Sequence, residues 1–189
     1  MIRFLAISFF CLFALYSQAR AATFELNARG SMCTQTAQLA KGAQYSTPSG
    51  NWQADFLVVD KARRLLHLMT AGKISRTYKM HLGKNPVGKK RQEGDKKTPE
   101  GWYSIGYKNS ASKFHLSLEI TYPNQDDINW ARKNGVDPGG DIMIHGKPNG
   151  VPGFLVGGDW TSGCVAVKDS EIEEIWKFVK SGTDIELCP

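Results

Sequence analysis

The 189-residue sequence is poor in the groupings that build common redox and metal sites. It has only four cysteines and four histidines. There is no C-x-x-C pair, which excludes a thioredoxin-type dithiol, and no H-E-x-x-H or paired Cys/His spacing, which argues against zinc. No metal and no other cofactor is therefore expected. Carboxylates such as Glu93, Asp95 and Asp141 are scattered among turn signals, so no acid pair of the glycosidase kind stands out. After residue 16 no apolar run approaches the roughly 20 residues that a spanning helix needs, and no internal repeat is found.

What is present begins with MIRFLAISFFCLFALYSQARAATF. A basic start at Arg3, an apolar run from Phe4 to Tyr16 and the small-residue site Ala19-Arg20-Ala21 form the pattern of a secretory signal peptide cut after Ala21. An uncleaved anchor is the competing reading, for which the run is short. Cys11 lies in this run and leaves with it. The expected location is the periplasm, with no membrane span after cleavage. Loss of Arg3 and Arg20 takes the basic residues from 24 to 22 against 18 acidic ones, and the formal charge from +6 to +4. That mild surplus favours anionic partners such as wall polymers or membrane surfaces, and the compartment argues against nucleic acid.

Three cysteines then remain: Cys33, Cys164 and Cys188. In an oxidising compartment an odd number leaves one thiol free or bonded to another chain. If Cys164 is the working thiol, Cys33 and Cys188 pair across a long loop, which would contribute roughly 2–4 kcal/mol. Counting alone also permits Cys164 to be half of a disulfide.

Residues 22–53 are polar and poorly periodic and read as an N-terminal extension. A catalytic-looking domain follows over 54–189. β-rich runs at 55–60, 65–70 and 74–83, separated by "KARR" and "AGK", predict an antiparallel meander. Further strands are expected at 101–107, 114–120, 141–146, 164–167 and 183–187. One helix opens at Asp126 or Asp127 and stops at Gly135. Another runs from Ser170 to about Lys180, with Ser170 and Glu173 as a capping box, Ile172, Ile175, Trp176 and Val179 as its apolar face and Gly182 as its stop. Many short strands without crossover helices predict a mostly-β sandwich or barrel with a few peripheral helices. The basic stretch KNPVGKKRQEGDKK (84–97) reads as a solvated loop that could also face an anionic polymer.

Of the four histidines, His67 and His81 lie inside strand patterns, where a packed or solvent-facing role suffices. His145 instead ends the strand "DIMIH" at the mouth of a turn-rich loop, where a rigid scaffold presents reactive side chains. Nineteen positions later comes Cys164, in "DWTSGCVAV". A thiol is mostly protonated at neutral pH and needs a base to become a nucleophile, which His145 could supply if its second nitrogen were held. Gly163 leaves room for a carbonyl, and its amide with that of Cys164 could hold an oxyanion. Taken bare, a histidine and a Gly-Cys pair are also compatible with a purely structural role.

The ordered motifs "IHG" and "TSGCVAV", preceded by LGKNPVGKKRQEGDKKTPEGWYSI, resemble the L,D-transpeptidase (YkuD-type) catalytic domain. "FHLSLEITYPNQDD" and "DPGGDIMIHG" resemble a proteobacterial subgroup of that family that includes enzymes detaching lipoprotein from peptidoglycan. The resemblance covers about residues 54–187. It implies a β-dominated fold and an enzyme of the cell wall, with a link to cell shape. In such an enzyme a cysteine attacks a stem-peptide carbonyl at the L-centre of diaminopimelate. D-alanine leaves, and the acyl-enzyme passes to an amine or to water. Carried over, Cys164 is the nucleophile, His145 the base, and the Gly146 carbonyl the group that orients the imidazole. Gly163 and Cys164 are the oxyanion donors. His115 and Tyr122 are expected to line the donor site, and Trp160, Thr161 and Ser162 to contact substrate.

Two positions depart from the family pattern. Many crosslinking members have histidine before the Gly-Cys pair and arginine or asparagine two residues after the cysteine, whereas this chain has Ser162 and Ala166. The expected function is an acyltransferase on peptidoglycan stem peptides. Its alternative is the same acyl-enzyme resolved by water, as in an amidase or L,D-carboxypeptidase, with a wall-linked lipoprotein as a further partner. The alternative from another class is a non-catalytic wall-binding module.

Overall fold

A computed structural model of the chain describes residues 32–34, 50, 52–152 and 157–189. The expected signal peptide and most of the 22–53 extension lie outside the described residues. Eight strands and two ten-residue helices follow in chain order: β1 (Phe56–Asp60), β2 (Leu65–Thr70), β3 (Lys73–Lys79), β4 (Gly101–Asn109), β5 (Ser117–Ile120), α1 (Gln125–Asn134), β6 (Met143–His145), β7 (Val165–Ala166), α2 (Asp169–Phe178) and β8 (Asp184–Cys188). Among the described residues no helix is long and apolar enough to cross a membrane.

The first three strands form the expected antiparallel meander, with Val58 opposite His67 and His67 opposite Thr77. Its second turn is the pair Ala71–Gly72, at φ 49° and 72°, the doubly positive backbone that matches the twist of a hairpin. All eight strands lie in one sheet of order β3-β2-β1-β8-β4-β5-β6-β7. β4 joins its two halves: Gly101–Ser104 pairs with β8, and from Ile105 the strand pairs with β5, with a register shift between Ile105 and Lys108. The sheet curls until its ends meet, because His81 and Gly83, just beyond β3, bridge to Ala166 and Thr161. The mostly-β expectation holds, and the closure takes the form of two isolated bridges rather than a full ladder.

Sequence reading and structure differ in four places. Two strand pairs are parallel, β1 with β8 and β6 with β7, although the described residues between β6 and β7 form no helix. The strand expected from 114 starts at Ser117, because His115 sits at φ 67°, a left-handed backbone that breaks a ladder. The run expected to 83 ends at Lys79, and its continuation pairs with the opposite edge. α2 begins earlier than its apparent capping box: the Glu171 carboxylate accepts the Lys168 N–H at 2.9 Å, and the helix ends at Phe178, before Gly182.

α1 follows its signals more closely. Asn124 and Asp127 cap one another reciprocally, and Gly135 at φ 65° closes the helix, as expected of a left-handed C-terminal glycine. α2 turns Ile172, Ile175 and Phe178 inward onto the main core. Alternation then divides the meander: Leu57, Val59, Leu66 and Leu68 enter that core, whereas Val58, Met69 and Ile74 form a second cluster on the other side of the sheet with Cys188. Met32 and Cys33 pack against this second cluster, and Cys33 is disulfide-bonded to Cys188. Of the described cysteines, Cys164 alone is free.

Candidate active site

Parallel pairing puts Ile144 in register with Val165 and His145 with Ala166. Side chains two apart on a strand share a face, so Cys164, Ala166, Met143 and His145 belong to one side of this narrow ribbon. The Met143 N–H donates to Cys164 Sγ at 3.4 Å, and the thiol reaches the Asp141 carbonyl at 3.5 Å. The structure therefore brings the predicted cysteine, just before β7, and histidine, at the end of β6, to one end of the sheet.

His145 is buried, and its Nδ1 lies 2.6 Å from the Gly146 carbonyl. A carbonyl can only accept, so in the neutral ring Nδ1 carries the proton and Nε2 keeps the lone pair. Aromatic rings fix the imidazole plane: Phe114 lies 4.5 Å away between centroids and Trp160 5.6 Å, the latter edge-on. Burial pushes the imidazole below its ordinary pKa, against the opposing pull of the Gly146 carbonyl. Burial likewise raises the Cys164 thiol. The Met143 amide and Lys90 oppose the shift, whereas the Asp141 charge adds to it. Burial thus favours the uncharged form of both groups.

The turn entering Cys164 is held from within. Thr161 is buried; its hydroxyl accepts the Gly163 N–H at 3.1 Å and donates to the Cys164 carbonyl at 2.8 Å. Gly163 sits at φ 138°, and a Cβ there would stand 2.7 Å from the Lys97 carbonyl oxygen. Glycine is required here by both conformation and space. The Gly163 amide, expected to face an oxyanion, is already bonded to Thr161. Thr161 itself braces the turn, while Ser162 is exposed.

His115 lies beside Gly146, where an added Cβ would come within 3.1 Å of the His115 Cβ. Its Nε2 is 2.7 Å from Glu173 of α2. Tyr122 is buried, and its hydroxyl donates to the Pro138 carbonyl at 2.9 Å, next to the segment that carries Asp141.

Several supporting residues escaped sequence reading. Asp159 accepts the Leu82 N–H at 2.9 Å and pairs with Arg64 at 2.7 Å, which ties the loop before Cys164 to the β1–β2 turn. Burial alone would raise this carboxyl, but Arg64 and the Leu82 amide hold it below the ordinary range. The basic stretch 84–97, expected to be solvated, is anchored instead. Lys89 pairs with Asp127 at 2.8 Å, Lys90 pairs with Asp95 at 2.9 Å, and Arg91 stacks over Trp130 at 4.7 Å. Asp95 also accepts the amides of Arg91, Gln92 and Lys97. Through Lys97 this loop backs the Gly163 turn, while Lys84, Glu93 and Lys96 remain exposed.

Comparison with known proteins bears on the same region. The YkuD family, described as the L,D-transpeptidase catalytic domain, matches residues 54–187. YafK of Escherichia coli (strain K12) is 30% identical over 105 residues, covering 54% of this chain and 36% of that protein; the chain thus spans about a third of that relative's length. The fold resembles the helical cell shape determining protein Pgp2 (K307A mutant) from Campylobacter jejuni, with a TM-score of 0.54 and 24% identity over 84% of this chain and 56% of that one. It also resembles Bd1075 of Bdellovibrio bacteriovorus, with a TM-score of 0.50 and 26% identity over 77% of this chain and 51% of that one.

Proposed function

Because the chain belongs to the YkuD family of L,D-transpeptidase catalytic domains, we propose that it is an exported cysteine acyltransferase acting on peptidoglycan stem peptides. In this reading residues 1–21 direct export to the periplasm, 22–53 form an extension, and 54–189 form the catalytic domain. The observation that carries the assignment is the 2.6 Å contact of His145 Nδ1 with the Gly146 carbonyl, which leaves Nε2 basic on the face shared with Cys164.

His145 Nε2 takes the thiol proton as Cys164 Sγ attacks the stem-peptide carbonyl. The carbonyl oxygen becomes an oxyanion, for which the amides of Cys164 and Gly163 are the candidate donors. Gly163 serves by loosening its bond to Thr161. The imidazolium then returns the proton to the departing D-alanine amine as the C–N bond breaks, leaving a thioester on Cys164. An acceptor amine, deprotonated by the same imidazole, attacks the thioester and restores the thiol. A depressed imidazole pKa keeps the base unprotonated at neutral pH, as general-base chemistry requires.

A hydrolytic outcome is the second reading. It is favoured by Ala166, the fully buried in-register neighbour of His145, whose methyl group offers no polar contact to an acceptor. Water would then resolve the thioester and release the peptide, or free a wall-linked lipoprotein. The test is to incubate the protein lacking residues 1–21 with defined tetrapeptide muropeptides, and separately with lipoprotein-linked ones, and to weigh the products by mass spectrometry. New crosslinks establish transfer. Release of free peptide or lipoprotein without crosslinks establishes hydrolysis. No product from either substrate overturns the enzymatic reading in favour of a wall-binding module.

A further inference from the structure

Beside the candidate active site lies a second concavity of about 590 Å³, within the roughly 300–1,000 Å³ typical of ligand clefts. It runs between the β1–β2 turn, the end of β3 and the start of α2. It does not include Cys164 or His145, yet it adjoins them at three points. Trp160 forms part of its wall and touches the His145 ring edge-on. Lys147 follows Gly146 directly. His81, another wall residue, is in register with Ala166, so only the methyl group of Ala166 separates it from His145 across the sheet.

The charge of this cleft is lopsided. Its wall carries five lysine and arginine side chains, Arg63, Arg64, Lys79, Lys147 and Lys168, against two carboxylates, Asp159 and Asp169. Both carboxylates are already taken: Asp159 by Arg64 at 2.7 Å and Asp169 by Lys147 at 2.9 Å. Arg63 is held by Asp60 at 2.5 Å. Lys79 and Lys168 have no ion-pair partner among the described residues. Trp160 adds a buried indole N–H with no acceptor among them. The uncommitted charges are therefore the two lysine cations, on a wall whose carboxylates are each offset by a paired cation.

We propose that this cleft is a binding subsite for the carboxylates of an acidic peptide, with Lys79 and Lys168 as its recognising charges. An aromatic wall and a ligand-sized volume suit a peptide better than a flat anionic surface, which would engage an exposed patch. The peptide's identity as a stem peptide rests on the function proposed above; its charge class rests on the cleft alone. A substrate whose carbonyl lies at Cys164 would extend past Trp160 and place a carboxylate between the two lysines.

The test uses the Cys164→Ala protein, in which binding is separated from turnover, titrated calorimetrically with a tetrapeptide muropeptide and with a short oligo-glutamate peptide. In the added double variant Lys79→Gln/Lys168→Gln, both probes should bind about fivefold to tenfold more weakly, the size expected from losing two exposed charge contacts. The Lys79→Arg/Lys168→Arg counterpart should restore affinity, and raising the salt should erase the difference. Equal affinity of the Gln variant and its parent for both probes overturns the subsite, as does a parent that binds neither probe or binds only the muropeptide. If oligo-glutamate binds in the cleft while muropeptides neither bind nor turn over, the charge class stands and the stem-peptide reading falls.

Discussion

The hydroxyl of Thr161 donates to the carbonyl of Cys164 at 2.8 Å while accepting the amide of Gly163. One small side chain thus ties the peptide that follows the candidate nucleophile to the amide of the glycine before it. Thr161→Val keeps the shape and removes both bonds, leaving a buried carbonyl and amide unpaired. The expected result is a fall in kcat of about tenfold or more, from a turn no longer preorganised, together with a loss of roughly 1–3 kcal/mol in stability. Thr161→Ser should restore most of both, measured by turnover and urea denaturation.

Replacement of Cys164 by alanine should abolish turnover without unfolding the domain. His145→Ala should lower the rate by about a hundredfold or more. Since burial depresses the His145 pKa, the wild-type rate should hold as the pH falls through the ordinary histidine range, with its acid limb lower still. A pH–rate profile that already collapses near the pKa of a free imidazole would contradict the buried geometry. An alanine variant at position 164 as active as the parent would sink the mechanism.

His67 is fully buried, with Nδ1 2.9 Å from the Thr77 hydroxyl, and burial lowers its pKa to about 4. The folded state therefore resists a proton that the unfolded chain accepts. Its contribution to stability is complete above about pH 6.5 and is lost as the pH falls toward 4. Between pH 7.5 and 4.5 this amounts to roughly 2–3 kcal/mol, and His145 acts in the same direction. His67→Gln should flatten that dependence, compared by urea unfolding at the two pH values.

Removing the Cys33–Cys188 bond by a double serine substitution should cost about 2–5 kcal/mol. Thiol labelling of Cys164 in the folded protein should stay unchanged. Peptide mapping under non-reducing conditions should find Cys33 joined to Cys188, and a Cys164 bond to either would refute the pairing in the structure.

Much of the fold was legible because local signals agreed with it. β-rich runs located all eight strands, and Asp and Gly signals framed α1, whose Asn124 cap the structure added. The misreadings share a cause, which is that their partners are remote in sequence. Ser170 and Glu173 satisfied a capping pattern, but Glu173 meets His115, fifty-eight residues away, and Glu171 takes the cap. Asp159 finds Arg64 across ninety-five positions, and nothing near either residue announces the pair. The cysteine and histidine were legible through their strand-end position and motif. The basic loop behind Gly163 was not, because a run of Lys and Arg with a single Asp looks the same whether hydrated or anchored.

β8 is the last strand in sequence but lies between β1 and β4 in the sheet. The β1–β3 meander and the β4–β6 pairings can form from near neighbours, but the two groups share no ladder until β8 arrives to pair with both. Folding of this domain is consequently a late-closing process governed by long-range pairing, slow by topology rather than by weak local preference. A chain interrupted before Asp184 would not be a domain with a frayed edge. It would be two half-sheets linked only through the His81–Ala166 and Gly83–Thr161 bridges, each with an open strand ready to pair with a neighbouring molecule.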